Sequence, residues 1–475
     1  MTGGGERAGR PLSAVQRSMW TAYRVAPGSS AYNIVMPLRV RGPLSVPALE
    51  QAVADLGARQ AQLRSSFTEA DGEPVRLERP EPFVRLEVRD VPGIGLPELY
   101  GAVRRAGEEP FDLEGGGPFR VVLLRRADDD FALVTSAHHI VGDFTSRWLL
   151  VRDLLHAYRG RAAGTDPGLP ALRGSYEDHV REEAEFLGSP AGRRAAAYWR
   201  DAVAGTSAAE LPLDRPRPAL PSHRGDTVRL HLPLPLSDEL MSSAKELGTT
   251  PYALLLAAFQ ALVHRWTGRT DFLLGAPATN RIGKERRNVV GCFLNTLPVR
   301  ARTAPSDSLR TLAAAAEREV LGGMLQVRHP CTLPPADGAA AGAGRAPLFR
   351  MAVFLVQLGR MDPPVPSVPR GAPEGPPIGF GGLGLALIDV PQQEGQLDLM
   401  VRLEHGADGL TAVFSYDTDL FERATVERLA SAYERFVRVA AEAPDTAVGD
   451  VELLAGDELA ALLALGAGDG AGEYG

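Results

Sequence analysis

Two adjacent histidines carry the clearest chemistry in this chain: His138 and His139, followed four residues later by Asp143 in His138-His139-Ile140-Val141-Gly142-Asp143. Near neutral pH an imidazole is the side chain best suited to accept or donate a proton. The apolar run before the pair, Phe131 to Ala137, reads as a buried strand. After it, Ser146 to Tyr158 sets Trp148, Val151, Leu154, Leu155 and Tyr158 on one helical face. The pair therefore stands at the mouth of a strand, before a tight turn into a helix, where a rigid scaffold can aim a ring at substrate. Other roles fit the same residues. Neighbours on a strand point to opposite faces, and no Cys, Asp or Glu repeats nearby at ligand spacing, so a metal site is disfavoured. One histidine is expected to be structural, and Asp143 also suits the cap of the following helix.

Further motifs follow one another along the chain. The pattern His138-His139-x-x-x-Asp143 is similar to the active-site motif of condensation domains of nonribosomal peptide synthetases, in the superfamily of chloramphenicol acetyltransferase. Pro11 to Trp20, Ala31 to Ile34 and Arg59 to Phe67 resemble that family's first segments. Tyr176-Glu-Asp-His179, Tyr198-Trp199, Leu211 to Pro216, Gly275 to Arg281, Val290 to Leu297, Pro347 to Phe349 and Val353 to Gln357 resemble the later ones. The resemblance spans nearly the whole chain. It implies an α/β (α+β) fold: a pseudo-dimer of two acetyltransferase-like lobes in a V, with a central tunnel. The expected boundaries are residues 1–174 for the first lobe, 175–450 for the second and 451–475 for a linker toward a downstream domain.

The resemblance also implies chemistry. A donor acyl thioester and an acceptor aminoacyl thioester, both on phosphopantetheine arms of carrier proteins, are joined by an amide bond. His139 is expected to contact the acceptor amine and His138 to hold the loop. Asp143 is expected to brace that loop against Arg281, beside Asn280. Arg64, Phe144 and Gln357 are expected on the tunnel wall. Phe144 departs from the family, which usually has glycine after the aspartate; a ring there removes the freedom for positive φ and close backbone approach. Its expected consequences, in order, are a ring turned into the core, a narrowed tunnel, or lost condensation. The leading segments look more like domains that take an L-configured donor. No metal and no cofactor of the domain's own is expected, since the phosphopantetheine arrives on an upstream donor carrier and a downstream acceptor carrier. An adenylation domain is the expected neighbour. Two rival readings are a catalytically silent recruiting domain of the same fold and a freestanding acyltransferase using a soluble acceptor. Epimerisation fits the motifs less well.

Composition bounds the rest. At 475 residues, with 44% hydrophobic and 23% charged side chains, the chain is read as a globular, monomeric protein of two lobes. Its formal charge of −8 gives no footprint for nucleic acid, and no apolar stretch is long enough for a membrane span. Two cysteines, Cys292 and Cys331, make no disulfide framework and point to a reducing cytoplasm; each is read as a small apolar residue. The start, Met1 to Arg10, lacks the apolar core of a secretory signal.

Strands are expected at Tyr32 to Val40, Pro118 to Arg125 and Phe131 to Ala137, and as a hairpin, Leu397 to Leu403 with Leu410 to Ser415. Helices are expected after Ser45, from Pro251 to Trp266 and from Glu422 to Ala441. Leu333 to Ala346 and Gly359 to Gly384 read as loops, the second a candidate gate across the cleft.

Overall fold

The computed structural model describes residues 9–79, 84–219, 222–332, 348–357, 366, 368–369, 372–390, 396–406 and 409–453, and these form two six-stranded sheets and a small three-stranded one. In chain order the first part gives β1 (Arg10–Pro11), α1 (Ala14–Val25), β2 (Asn33–Arg41), α2 (Val46–Arg59), β3 (Ser65–Ala70), β4 (Glu73–Glu78), β5 (Leu86–Asp90), α3 (Leu96–Glu108), β6 (Phe119–Ala127), β7 (Asp130–His138) and α4 (Phe144–Ala163). Then come α5 (Tyr176–Gly188), α6 (Pro190–Val203), β8 (Gly225–Pro233), α7 (Leu234–Glu246), α8 (Pro251–Thr267), β9 (Asp271–Thr279), β10 (Leu294–Arg302) and α9 (Leu309–Leu325). The last group is β11 (Met351–Gln357), β12 (Ile378–Phe380), β13 (Leu383–Leu387), β14 (Leu399–Gly406), β15 (Gly409–Asp417) and α10 (Arg423–Glu442). The expected loop 333–346 lies outside the described residues.

β7 is buried from Phe131 to His138 because both faces of its sheet are covered. Phe131, Leu133 and Ala137 pack with α2 and α4, while Ala132 and Val134 pack with Leu99, Val103 and Ala106 of α3. The central register, β2 antiparallel to β7, sets Asn33 opposite His138. α2 begins as expected: Ser45 accepts from the Ala48 amide, and Leu49, Val53 and Leu56 are buried.

The second sheet runs β10-β9-β11-β14-β15-β8. Thr250 caps α8, Gly268 ends it at φ +72°, and every residue from Ala253 to His264 is buried. That helix carries apolar side chains on every face because α7, α9, α10 and the sheet enclose it. Among the described residues no single helix is long and apolar enough to cross a membrane.

One stretch departs from the expected boundaries. Residues 378–387 fall in the sequence's second lobe, yet their strands join the first sheet, ordered β12-β13-β2-β7-β6-β5. β13 lies antiparallel to β2 with Leu385 opposite Val40, and Leu383 and Leu385 enter the first lobe's core. Gly381 (φ +57°) and Gly382 (φ +83°) make the two-residue turn, where a left-handed pair matches strand twist. This added strand covers an edge of β2 that would otherwise expose unpaired backbone groups. Much of the Pro- and Gly-rich stretch before it lies outside the described residues.

Two more ties join the lobes. Gln60 at the end of α2 donates to Asn288 O (3.0 Å) and accepts from the Val290 amide (3.1 Å). Glu183 of α5 accepts from the Ala14 amide at the start of α1 (2.7 Å), and the Tyr176 and Ser13 hydroxyls share a bond of 2.9 Å.

Candidate active site

β7 ends at His138 because its ladder does: the His138 amide donates to Pro118 O and the His139 amide to Tyr32 O, both at 2.8 Å. A single 3-10 turn, His139–Val141, then leads to α4. The two imidazoles diverge. His138 is buried among the rings of Tyr32, Phe111 and Tyr23, with centroids 5.9 to 6.4 Å away. Its Nδ1 accepts from the Ile140 amide (3.1 Å), which closes the turn. Burial, then the neighbouring His139, pulls its pKa down to about 3, so it stays neutral and serves as an acceptor. His139 is half-buried and borders a cavity of about 150 Å³. Met19 of α1, His179 and Glu183 of α5, and Asn280 and Asn295 beside β9 and β10 border the same cavity. The His139 Nδ1 lies 3.6 Å from Cys292 Sγ.

The turn is fixed from behind. Asp143 is the N-cap of α4: its Oδ1 accepts from the Ser146 amide (2.7 Å), the Ser146 hydroxyl (2.9 Å) and Arg281 Nη2 (2.9 Å). Its Oδ2 accepts from the Phe293 amide (3.1 Å). Arg281 Nη1 also donates to Arg286 O (3.0 Å) and Val289 O (2.6 Å), and its guanidinium lies 4.3 Å from the Phe293 ring centroid. One ion pair thus ties the histidine turn to the β9–β10 loop. Burial alone would raise the Asp143 pKa; the Arg281 charge and the Ser146 donors outweigh it and hold the carboxyl below its ordinary value.

The sequence model of the condensation domain family matches residues 7–463. The chain belongs to that family. Similar synthetases include a linear gramicidin synthase of Brevibacillus parabrevis, 31% identical over 452 residues covering 94% of this chain and 9% of that protein. Phosphinothricin tripeptide synthetase PhsB of Streptomyces viridochromogenes is 33% identical over 426 residues, 88% of this chain and 35% of that one. The chain therefore spans a minor part of these relatives. Among solved structures, the X-domain from teicoplanin biosynthesis superposes at TM-score 0.82, with 24% identity over 95% of this chain and 99% of that one. The first condensation domain of the calcium-dependent antibiotic synthetase superposes at 0.73, with 23% identity over 94% and 100%. The fold is that of condensation domains.

The condensation domain distributes the residues singled out from sequence unevenly. His139 and Asn280 border the cavity, and His138, Asp143 and Arg281 support its rim. Phe144 and Arg64 do not border it among the described residues. Phe144 is the first residue of α4, a helical position open to any residue, and its half-buried ring stacks 4.5 Å from the Arg147 guanidinium. Gly142 is extended (φ −156°, ψ 160°), so no left-handed backbone is needed at this turn. Arg64 is engaged by Glu78 (2.5 Å) and Ala58 O (2.6 Å), at the small sheet. Gln357 ends β11 opposite His405; its side chain lies outside the described residues. Sequence reading gave no role to His179, Glu183 or Ser146. The signal for the first two was their i, i+4 spacing on a helix that begins at Tyr176. No group of three or more metal-ligating side chains is present among the described residues.

Proposed function

We propose that this condensation domain joins a donor acyl thioester to an acceptor aminoacyl thioester, each tethered to a carrier protein by phosphopantetheine. The acceptor amine attacks the thioester carbon, the C–N bond forms and the C–S bond breaks. The amine's proton is released and the departing sulfur takes one up as a free thiol. His139 contacts the attacking nitrogen; His138, Asp143 and Arg281 act on it only through the turn they hold. The observation that carries this reading is the placement of His139 alone of the pair at a cavity walled by both lobes. Aligning two tethered reactants lowers the barrier by about 7–11 kcal/mol, and an imidazole at the nitrogen adds about 10²–10⁴-fold. An L-configured donor, an adjoining adenylation domain and a cytoplasmic setting belong to the same reading. The test is reconstitution with donor on one carrier and acceptor on another, with the product followed by intact-protein mass spectrometry. Transfer of donor mass to the acceptor carrier is expected. Turnover without an acceptor carrier would instead identify an acyltransferase with a soluble acceptor.

A second reading, a recruiting domain without turnover, is supported by the likeness, at 25% identity, to the teicoplanin X-domain, which is solved in complex with a second protein, OxyB. It expects carrier binding and no amide product in the same reconstitution.

A further inference from the structure

Cys292 lies just before β10 in the β9–β10 loop and is fully buried against the first lobe's apolar core. Its Sγ stands 3.6 Å from His139 Nδ1, a hydrogen-bonding distance for sulfur. One carboxylate fixes both partners. Asp143 Oδ1 caps the helix that follows His139, and its Oδ2 accepts from the amide of Phe293, the residue after Cys292. The Tyr176 hydroxyl donates to Cys292 O and the Ser146 hydroxyl to Gly291 O, both at 2.8 Å, so the loop holds the sulfur in place.

This thiol is badly placed for a nucleophile. Burial first, then the Asp143 charge, holds its pKa well above the ordinary thiol range despite a bond from the Leu294 amide. Nor does Cys292 border the cavity, so the Nδ1 edge of His139 is turned toward a sulfur that substrate does not reach. A neutral thiol is both a weak donor and a weak acceptor, and two arrangements fit the contact. If S–H donates to Nδ1, the ring's proton sits on Nε2 and meets the amine lone pair that has to attack. If Nδ1–H donates to sulfur, Nε2 keeps its lone pair and can accept from the amine N–H. Only the second suits aminolysis. We infer that Cys292 is a positioning residue for His139: its sulfur accepts from Nδ1–H, holds the imidazole in that tautomer and leaves Nε2 as the acceptor at the cavity. This deepens the proposed function and rests on it for the amine that Nε2 meets.

Histidine labelled with ¹⁵N in the full chain tests the tautomer without turnover. Nine histidines are present, and His139 is assigned by its loss in His139→Asn. In long-range ¹H–¹⁵N spectra its neutral ring shows Nδ1 as the protonated nitrogen. Cys292→Ala removes the acceptor, and the ring moves toward the Nε2-protonated form that unconstrained imidazoles prefer. Cys292→Ser, whose hydroxyl also accepts, keeps the parent tautomer. Each substitution alters a single heavy atom, so both variants stay folded. In reconstitution with loaded carriers, Cys292→Ala slows amide formation at least about fivefold at unchanged KM for the acceptor carrier. The loss stays short of the ~10⁴-fold that a wrong histidine tautomer costs a serine-protease triad, whose orienting partner is a carboxylate. Cys292→Ser recovers the rate to within about twofold, since the partner of one ring nitrogen sets the state of the other. A parent ring protonated on Nε2, a tautomer that survives Cys292→Ala, or equal rate losses in the two variants overturns the positioning role. If no amide forms in the parent protein but the tautomer responds to Cys292→Ala and not to Cys292→Ser, the proposed reaction fails and the positioning contact stands. If amide forms and the tautomer ignores both changes, the contact fails and the reaction stands.

Discussion

Arg281 and Asp143 have side chains only 7% and 6% exposed, so each depends on the other to remain charged inside the protein. Arg281→Ala is expected to cost about 3–5 kcal/mol of stability in urea denaturation, because it strands a buried carboxylate. A loss under about 1 kcal/mol would contradict the brace. The neutral imidazoles give a pH dependence of definite sign. His138 and His179 have folded pKa values of about 3, below the ordinary 6.5, so the unfolded chain binds more protons between those values. Their contribution is complete above pH 6.5 and is lost as pH falls toward 3. Between pH 6.5 and 5 each costs roughly 2 kcal/mol, and the fall in denaturation midpoint should be shallower in His138→Asn. An identical slope in both proteins would place His138 outside the buried site. Phe144→Gly should lower stability by at most about 0.5 kcal/mol through helix propensity and leave the rate of amide formation within twofold. A collapse in rate would put the ring in the working site. At this scale the pattern of His138, His139 and Asp143 was legible because it is local. The place of Phe144 was not, because a motif position does not reveal that residue 144 already lies in a helix.

At the scale of elements, the strand, turn and helix around the histidines follow from period and capping. The same is true of α2, α8, the β14–β15 hairpin and α10, which starts at Arg423, one residue after the expectation. The β12–β13 hairpin was not legible. Leu383, Leu385 and Leu387 alternate as a strand should, but a strand's partner is set by tertiary packing, and this one pairs with β2, more than 300 residues earlier. Gly382 has open space around its α-carbon, so Gly382→Ala tests backbone strain alone. The change should cost about 1–2 kcal/mol and speed hydrogen exchange at the Leu385 amide. Unchanged exchange there would mean that the left-handed turn does not hold this edge strand in place.

At the scale of the whole molecule, two sheets of six strands meet at a junction formed by the turn after β7, the β9–β10 loop and α5. Composition indicated two lobes, and motif order indicated their architecture; neither indicated which helix would wall the cavity. His179 and Glu183 reach the cavity through α5, which bonds both to the start of α1 and to Cys292 before β10. The proposed reaction turns on His139. Its most direct test is the single-turnover rate of amide formation between two loaded carriers, compared for the parent protein and His139→Ala. A fall of about 10²–10⁴-fold is expected, with carrier binding and melting temperature unchanged. Full rate in the variant would contradict the assignment of the reacting centre to this imidazole.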